Sequence, residues 1–160
     1  FPEKLIPLII SNILAEKPLP VYGDGRNVRD WLHVRDHADA IIRILTAAAP
    51  GSVYNIGGHN EWDNISIVST ICDLMDQRLD RPRGASRMLI TFVADRLGHD
   101  RRYAIDASKL ARDLDWMPQY TFDQGISETV DWYLAHRDWV ERVTSGAYRE
   151  YYHKQYGEQI

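Results

Sequence analysis

The densest chemistry in the sequence is the run Asp95-Arg96-Leu97-Gly98-His99-Asp100-Arg101-Arg102-Tyr103. Arginine presents a planar fork of donors that grips phosphate oxygens in pairs. Glycine at 98 lets backbone approach a ligand closely, and His99 adds a donor. Asp95, Arg96, Gly98 and His99 therefore have the makings of a diphosphate grip. The same residues also suit a solvated loop whose Asp–Arg contacts are surface ion pairs worth little. On residue chemistry alone both readings stand. A second grouping runs from Pro20-Val21-Tyr22 to Arg29-Asp30-Trp31. Tyr22 offers a ring face to a nucleobase, where stacking is worth about 1–3 kcal/mol, and Arg29 can reach a phosphate. Here residue chemistry favours the plainer reading, a β-hairpin with Tyr22 and Arg29 on its solvent face, because aromatics are enriched in strands anyway. Lys4 and Asn64 say little by themselves: a lone lysine is usually solvated, and Asn64 suits a helix cap.

Other sites fail on context. His33 and His37 have the spacing that places two imidazoles on one helix face, but Trp31–Val34 reads as strand and no H-E-x-x-H is formed, so no metal is expected. Cys72 falls on an apolar helical stripe and reads as packing rather than as a reactive thiol. Trp31, Trp116, Trp132 and Trp139 read as packing anchors. No G-x-G-x-x-G occurs; Gly23/Gly25 and Gly57/Gly58 lack the third glycine, and a P-loop, a G-x-S-x-G and a Tyr-x-x-x-Lys pair are also absent. The sequence therefore encodes no ordinary dinucleotide cradle.

The elements that must position these residues follow from periodicity. Ile6, Ile9, Ile10, Ile13 and Leu14 make one helical stripe, with Pro7 in its first turn and Pro18 and Pro20 beyond its end. Leu19–Tyr22 and Val28–Val34 read as short strands around Gly23-Asp24-Gly25. Asp36 precedes a helix carrying Ala38, Ile41, Ile42 and Leu45. Val53–Ile56 reads as a short strand ending in Gly57-Gly58. Asp63 or Asn64 caps a helix with the stripe Val68, Ile71, Cys72, Met75 and Leu79. An arginine-rich loop from Arg81 to Arg87 leads into the strand Met88–Val93. Asp106 caps a short helix with Leu110 and Leu114. Thr121 and Gln124 form a capping box ahead of Phe122, Ile126, Val130 and Tyr133. Residues 148–160 carry no assignment. Strands alternating with helices indicate an α/β fold with mixed α+β character.

Composition sets the outer bounds. The 160 residues carry 19 Lys+Arg against 23 Asp+Glu, a net charge of −4, with 44% hydrophobic residues and one cysteine. These values suit a globular chain and exclude disorder or a disulfide scaffold. Mild acidity disfavours nucleic-acid binding. No apolar run approaches the roughly 18 residues of a membrane span, no secretory leader is visible, and a single cysteine fits a reducing, cytoplasmic setting. Six arginines fall between Arg81 and Arg102, a local basic stretch that the chain-wide acidity hides.

At these residues the sequence resembles the C-terminal half of the dTDP-glucose 4,6-dehydratases, which are extended short-chain dehydrogenase/reductases. The matching segments are Phe1–Pro7, Pro18–Gly25, Arg29–Val34, Tyr54–Glu61 and Asp95–Lys109. The Arg29 and Tyr54 segments are common to extended reductases; Asp95–Lys109 is specific to the 4,6-dehydratases, although Leu97 stands where the family usually has proline. The resemblance implies that Lys4 and Leu5 lie at the nucleotide-sugar pocket, that Pro20, Val21 and Tyr22 line the thymine, that Arg29 binds the diphosphate, and that Asn64 is a further contact. It also implies that Asp95, Arg96, Gly98 and His99 close on the nucleotide.

The resemblance further implies a substrate-binding fragment over residues 1–160, with the N-terminal NAD-binding Rossmann domain missing. It implies a lyase reaction in the full enzyme: dTDP-glucose to dTDP-4-keto-6-deoxyglucose plus water, with NAD carrying the hydride, commonly in rhamnose or other deoxysugar synthesis. The expectation is that this chain alone binds no NAD, holds no catalytic residue and is inactive, and that its exposed apolar surface makes it a homo-oligomer or poorly stable. Partners are then a dTDP-sugar and the missing domain, with no nucleic acid and no membrane. Two alternatives remain: a standalone nucleotide-sugar module, and a piece of a UDP-sugar epimerase or decarboxylase.

Overall fold

The computed structural model describes residues 4–144, so residues 1–3 and the unassigned stretch 148–160 lie outside the described part. The first helix, α1 (Leu5–Leu14), buries Ile9, Ile10 and Ile13. Pro7 sits in its first turn, where its missing N–H has no intrahelical partner to lose. The helix ends where Glu16 takes a left-handed φ of 52° and Asn12 Nδ2 donates to the Pro18 carbonyl at 2.7 Å.

Two small sheets follow. β1 (Leu19–Tyr22) pairs in parallel with β4 (Ile90–Val93), in a register running from Leu19↔Ile90 to Tyr22↔Val93. β2 (Val28–Asp30) pairs antiparallel with β3 (Glu61–Asp63). The expected hairpin between the first two strands is therefore absent. Gly23 and Gly25, at φ 58° and 71°, turn the chain out of β1, while β4 takes the edge a hairpin partner would have used. The winner is the pairing that buries Leu19 and Val21, both at most 2% exposed, because burial of apolar area outweighs the shortness of the connection.

The second expected strand also ends early. The Asp30 carboxylate accepts the backbone N–H groups of Gly58 (2.8 Å) and Asn60 (2.9 Å), which draws the chain across to that loop. α2 (Val34–Ala47) then starts ahead of Asp36, with His33 as its N-cap. Asp36 is consequently inside the helix rather than before it. It is buried, and it accepts the N–H groups of Gln119 and Tyr120 at 3.0 Å each. The apolar residues that mark this helix in the sequence stay outside the core: Ile41, Ile42 and Leu45 are exposed, and the buried positions are Asp36 and Ala40. Val53–Ile56 is not a strand, because among the described residues no strand lies beside it to supply the ladder bonds. Lys109 Nζ on the Val53 carbonyl (2.8 Å) and Asn55 Nδ2 on the Asp106 carbonyl (3.3 Å) hold it instead.

The main core joins α1, β1, α3 (Asn64–Arg78) and α5 (Phe122–Ala135). Asp63 caps α3 by accepting the Ser66 N–H at 2.8 Å. Ile67, Val68, Ile71, Cys72 and Met75 form its buried face, and burial pushes the Cys72 thiol up to about 12. A 3-10 turn, Ser86–Leu89, takes the first residues of the expected strand and leaves β4 four residues long. The Thr121–Gln124 capping box opens α5. A smaller cluster joins Ala40 of α2 to Leu110 and Leu114 of α4 (Ser108–Leu114) and to Trp116, whose Nε1 donates to Asp39 at 2.8 Å. Trp132, and Trp139 of the last helix α6 (Arg137–Val143), are weaker anchors: they pack edge-on at 5.2 Å and stay partly exposed. No helix among the described residues is long and apolar enough to cross a membrane.

Candidate functional site

Parallel pairing of β1 and β4 sends both strands out at the same end, the end where open α/β sheets gather ligand-binding loops. The Gly23 N–H donates to the Val93 carbonyl at 2.9 Å, so the loop after β1 and the loop after β4 leave together. Gly23 holds φ 58°, the left-handed region that favours glycine, and a Cβ there would press on the Asp95 carboxylate at 2.9 Å.

Within the second loop, Asp95 Oδ1 accepts the Arg96 N–H at 2.9 Å and the His99 Nδ1–H at 2.6 Å. Arg96 donates to His99 Nε2 at 3.0 Å. Its guanidinium also lies 5.1 Å from the centroid of the Tyr22 ring, and His99 meets Tyr22 edge-on at 6.2 Å. His99 thus has both ring nitrogens engaged, and its side chain is 6% exposed. Gly98 holds φ 70° with open space where a Cβ would be, and Leu97 is fully exposed.

A second layer fixes this loop to the first. Arg101 grips Asp24 with two bonds, at 2.7 and 3.0 Å. That bond, with help from the Arg26 N–H, holds the Asp24 carboxyl down at about 2. The His99 bond likewise holds the Asp95 carboxyl below the usual carboxylate range. Arg29 donates to the carbonyls of Val28 (2.7 Å) and Asp100 (3.0 Å) and covers the Tyr103 ring at 4.5 Å. Tyr103 donates to Asp100, a bond that raises its hydroxyl above the ordinary tyrosine value. Val28 exchanges backbone bonds with residues 101 and 103, and Arg102 forks onto Glu61 at 2.8 and 2.9 Å.

Of the residues singled out in the sequence, the fold brings together Tyr22, Arg29, Asp95, Arg96, Gly98 and His99. Val21 precedes Tyr22, but its side chain enters the core; Pro20 is half-buried. Asn64 opens α3, and its N–H donates to the Asn27 carbonyl at 3.1 Å, beside the turn after β1. Lys4 is exposed at the head of α1, and Leu5 packs against the core. The six arginines do not act as a group. Arg87 forks onto Asp73 at 2.6 and 2.5 Å, tying its turn to α3, and Arg81, in the loop after α3, reaches the Ile13 carbonyl of α1 at 3.3 Å. Only Arg96, Arg101 and Arg102 stand at the site.

Two supporting residues escaped the sequence reading. Asn27 is buried, its Nδ2 donates to the Asp100 carbonyl at 3.2 Å, and its Oδ1 is buried without a partner. Asp24 became a candidate only through Arg101, 77 positions away; the one sequence signal was its place between two glycines. A separate aromatic groove of about 580 Å³ is lined by Trp31, His33, Tyr120, Phe122, Trp132 and Trp139 among others. In it Trp31 Nε1 and His33 Nδ1 are buried without partners. Sequence reading gave no hint of it, since Trp31 and Trp132 lie a hundred residues apart. Among the described residues no group of three or more candidate metal ligands occurs.

A Cβ at Gly58 would lie 2.2 Å from the Trp31 carbonyl oxygen, so the Gly57-Gly58 pair is closed against backbone rather than open to a phosphate.

The chain is 56% identical over 156 residues to a dTDP-glucose 4,6-dehydratase of Escherichia coli, covering 98% of the chain and 43% of that relative. It is 57% identical over 150 residues to the dTDP-glucose 4,6-dehydratase of Xanthomonas campestris pv. campestris, covering 93% and 43%. The chain thus spans about two fifths of the length of these relatives. Among solved structures, dTDP-glucose 4,6-dehydratase from Bacillus anthracis in complex with NAD superposes with a TM-score of 0.74 at 49% identity, over 87% of this chain and 42% of that one. A UDP-glucuronic acid 4-epimerase from Bacillus cereus, at 21% identity and a TM-score of 0.69, shares the fold alone. Residues 1–129 match the family model described as GDP-mannose 4,6 dehydratase, and with that match over most of its length the chain belongs to the GDP-mannose 4,6 dehydratase family.

Proposed function

We propose that this chain is the nucleotide-sugar-binding part of a dTDP-glucose 4,6-dehydratase. The observation that carries the reading is the meeting of Tyr22, Arg96 and His99 at the shared end of β1 and β4. There a ring face, a guanidinium fork and an imidazole lie within one small region, the complement of a base joined to a diphosphate. In this reading Pro20, Val21 and Tyr22 border the base, Arg96 and Arg29 serve the diphosphate, and Gly98 lets the loop close over it. Lys4 and Leu5 lie at the nucleotide-sugar pocket, and Asn64 is a further substrate contact. Arg29 also braces the loop, through the Asp100 carbonyl and the Tyr103 ring.

The hydride chemistry and NAD belong, in this reading, to polypeptide outside the 160 residues. NAD would supply the hydride acceptor when bound there, and no residue of this chain enters that step. Turnover by the chain alone is not expected. The exposed face of α2 (Ile41, Ile42, Leu45), the unpaired stretch at 53–56 and the aromatic groove are the surfaces on which that polypeptide docks. In its absence they favour self-association.

Titration calorimetry with dTDP-glucose and UDP-glucose tests the reading. We expect saturable binding of dTDP-glucose that is at least tenfold tighter than UDP-glucose. Binding of neither sugar nucleotide overturns it, and a clear UDP preference transfers the site to an epimerase- or decarboxylase-like enzyme.

A further inference from the structure

We infer that Asp95 is a positioning residue that presents His99 as a proton-accepting phosphate ligand, so that capture of a nucleoside diphosphate takes up one proton. This inference rests on the proposed diphosphate site and adds its regulation by pH.

The hydrogen bonds determine the protonation pattern. An arginine guanidinium has donors and no acceptor. Its 3.0 Å contact with His99 Nε2 therefore requires a lone pair on Nε2. The hydrogen on the other ring nitrogen is donated to Asp95 Oδ1 at 2.6 Å. Unliganded His99 is thus the neutral tautomer with hydrogen on Nδ1, oriented from behind by a carboxylate in the manner of an oriented metal-bound or catalytic imidazole. The side chain is nearly enclosed, at 6% exposure. The titratable and charged groups around it are Asp95 and Arg96 on its own loop and Tyr22 from β1, with the Asp24–Arg101 pair next to Asp95.

Arg96 occupies two places that a ligand needs. It lies over the Tyr22 ring, where a base would stack, and it covers His99 Nε2. A diphosphate offers the guanidinium a bidentate partner that neither an imidazole nor a ring face can match. When Arg96 turns to it, Nε2 is left facing phosphate oxygen. Lone pair against lone pair is repulsive. A proton on Nε2 converts that contact into a charge-assisted bond and leaves an imidazolium between two anions, Asp95 and the phosphate, an arrangement that favours the charged form. The proton comes from buffer, and no covalent bond changes.

The experiment is titration calorimetry of the whole 160-residue chain with dTDP-glucose at pH 7.5 in PIPES, HEPES and Tris. The diphosphate of this ligand is doubly esterified and does not itself titrate near neutral pH. A plot of binding enthalpy against buffer ionisation enthalpy should have a slope of about 0.5–1 proton taken up per ligand, and affinity should fall by up to about tenfold per pH unit on the alkaline side. His99→Gln should still bind, more weakly, with the slope abolished. Asp95→Asn should keep binding with a reduced slope; a merely structural role for Asp95 would weaken binding and leave the slope intact. Should either variant fail to fold, long-range proton–nitrogen NMR on the unmodified chain reads the same event. One imidazole must pass from the neutral pattern to the cationic pattern on saturation. Binding with equal enthalpy in all three buffers overturns the inference and spares the proposed site, as does a slope that survives His99→Gln. Absence of binding in every buffer removes both.

Discussion

Beneath the exposed Arg87–Asp73 pair, the joint between α3 and the turn that launches β4 centres on one buried carboxylate. Asp76 and Ser86 are each 1% exposed. Asp76 accepts the Ser86 N–H at 3.0 Å and the Ser86 hydroxyl at 2.6 Å. Asp76→Ala would leave both donors buried with no partner. Each orphaned donor costs about 1–3 kcal/mol, so the loss is about 2–6 kcal/mol, centred near 4. Against a total stability of about 5–15 kcal/mol this is a large fraction. At about 2–4 °C per kcal/mol for a chain of this size, the melting temperature should fall by about 8–16 °C. Urea denaturation followed by far-UV circular dichroism gives the free energy directly. A double-mutant cycle isolates the cause. Ser86→Ala removes the hydroxyl that Asp76→Ala would orphan, so the double variant should lose less than the sum of the two, by about 1–2 kcal/mol. A cost below about 1 kcal/mol for Asp76→Ala, or strictly additive costs, would refute the reasoning.

Gly58→Ala should destabilise by about 3 kcal/mol or more, since its Cβ would fall 2.2 Å from the Trp31 backbone oxygen, an overlap no rotamer relieves. Gly125→Ala, whose nearest neighbour is the His33 ring at 3.3 Å, should stay within about 1 kcal/mol because a helical glycine gains rigidity on substitution; equal thermal shifts for the two would contradict the packing. Asp24 has its carboxyl lowered to about 2 in the folded chain, below the unfolded value near 3.9. Its contribution is therefore fully present above about pH 4 and is lost as pH falls towards 2. Asp24→Asn should flatten the acid limb of stability in that window alone, and urea midpoints that separate the two proteins equally at pH 3 and pH 6 would rule this out.

Much of the chain could be read from its residues because the deciding forces are local. The α1 stripe, the Asp63 and Thr121 caps, the short helix after Asp106 and the burial of Cys72 all follow from side chains within one or two turns of one another. The candidate loop was legible for the same reason: its donors lie within nine consecutive positions. Reading failed where a residue's partner is distant in sequence. Val28–Val34 looked like one strand until Asp30 found the loop at Gly58 and Asn60. Val53–Ile56 has strand composition but no strand beside it among the described residues, and backbone ladder bonds cannot form alone. The α2 stripe has helical periodicity, yet periodicity records amphipathicity and not which surface covers the apolar face.

The sequence by itself determined α1, α3 and α5, the Asp63 and Thr121 caps, the kinds of group that gather between residues 95 and 103, and the resemblance that names them. Only the tertiary structure decided that β1 joins β4 in parallel and not β2 in a hairpin. That choice places Tyr22 beside Arg96 and His99, more than seventy positions away. It is made by burial of Leu19 and Val21 against α1 and α3, a term summed over the whole core that no local spacing contains.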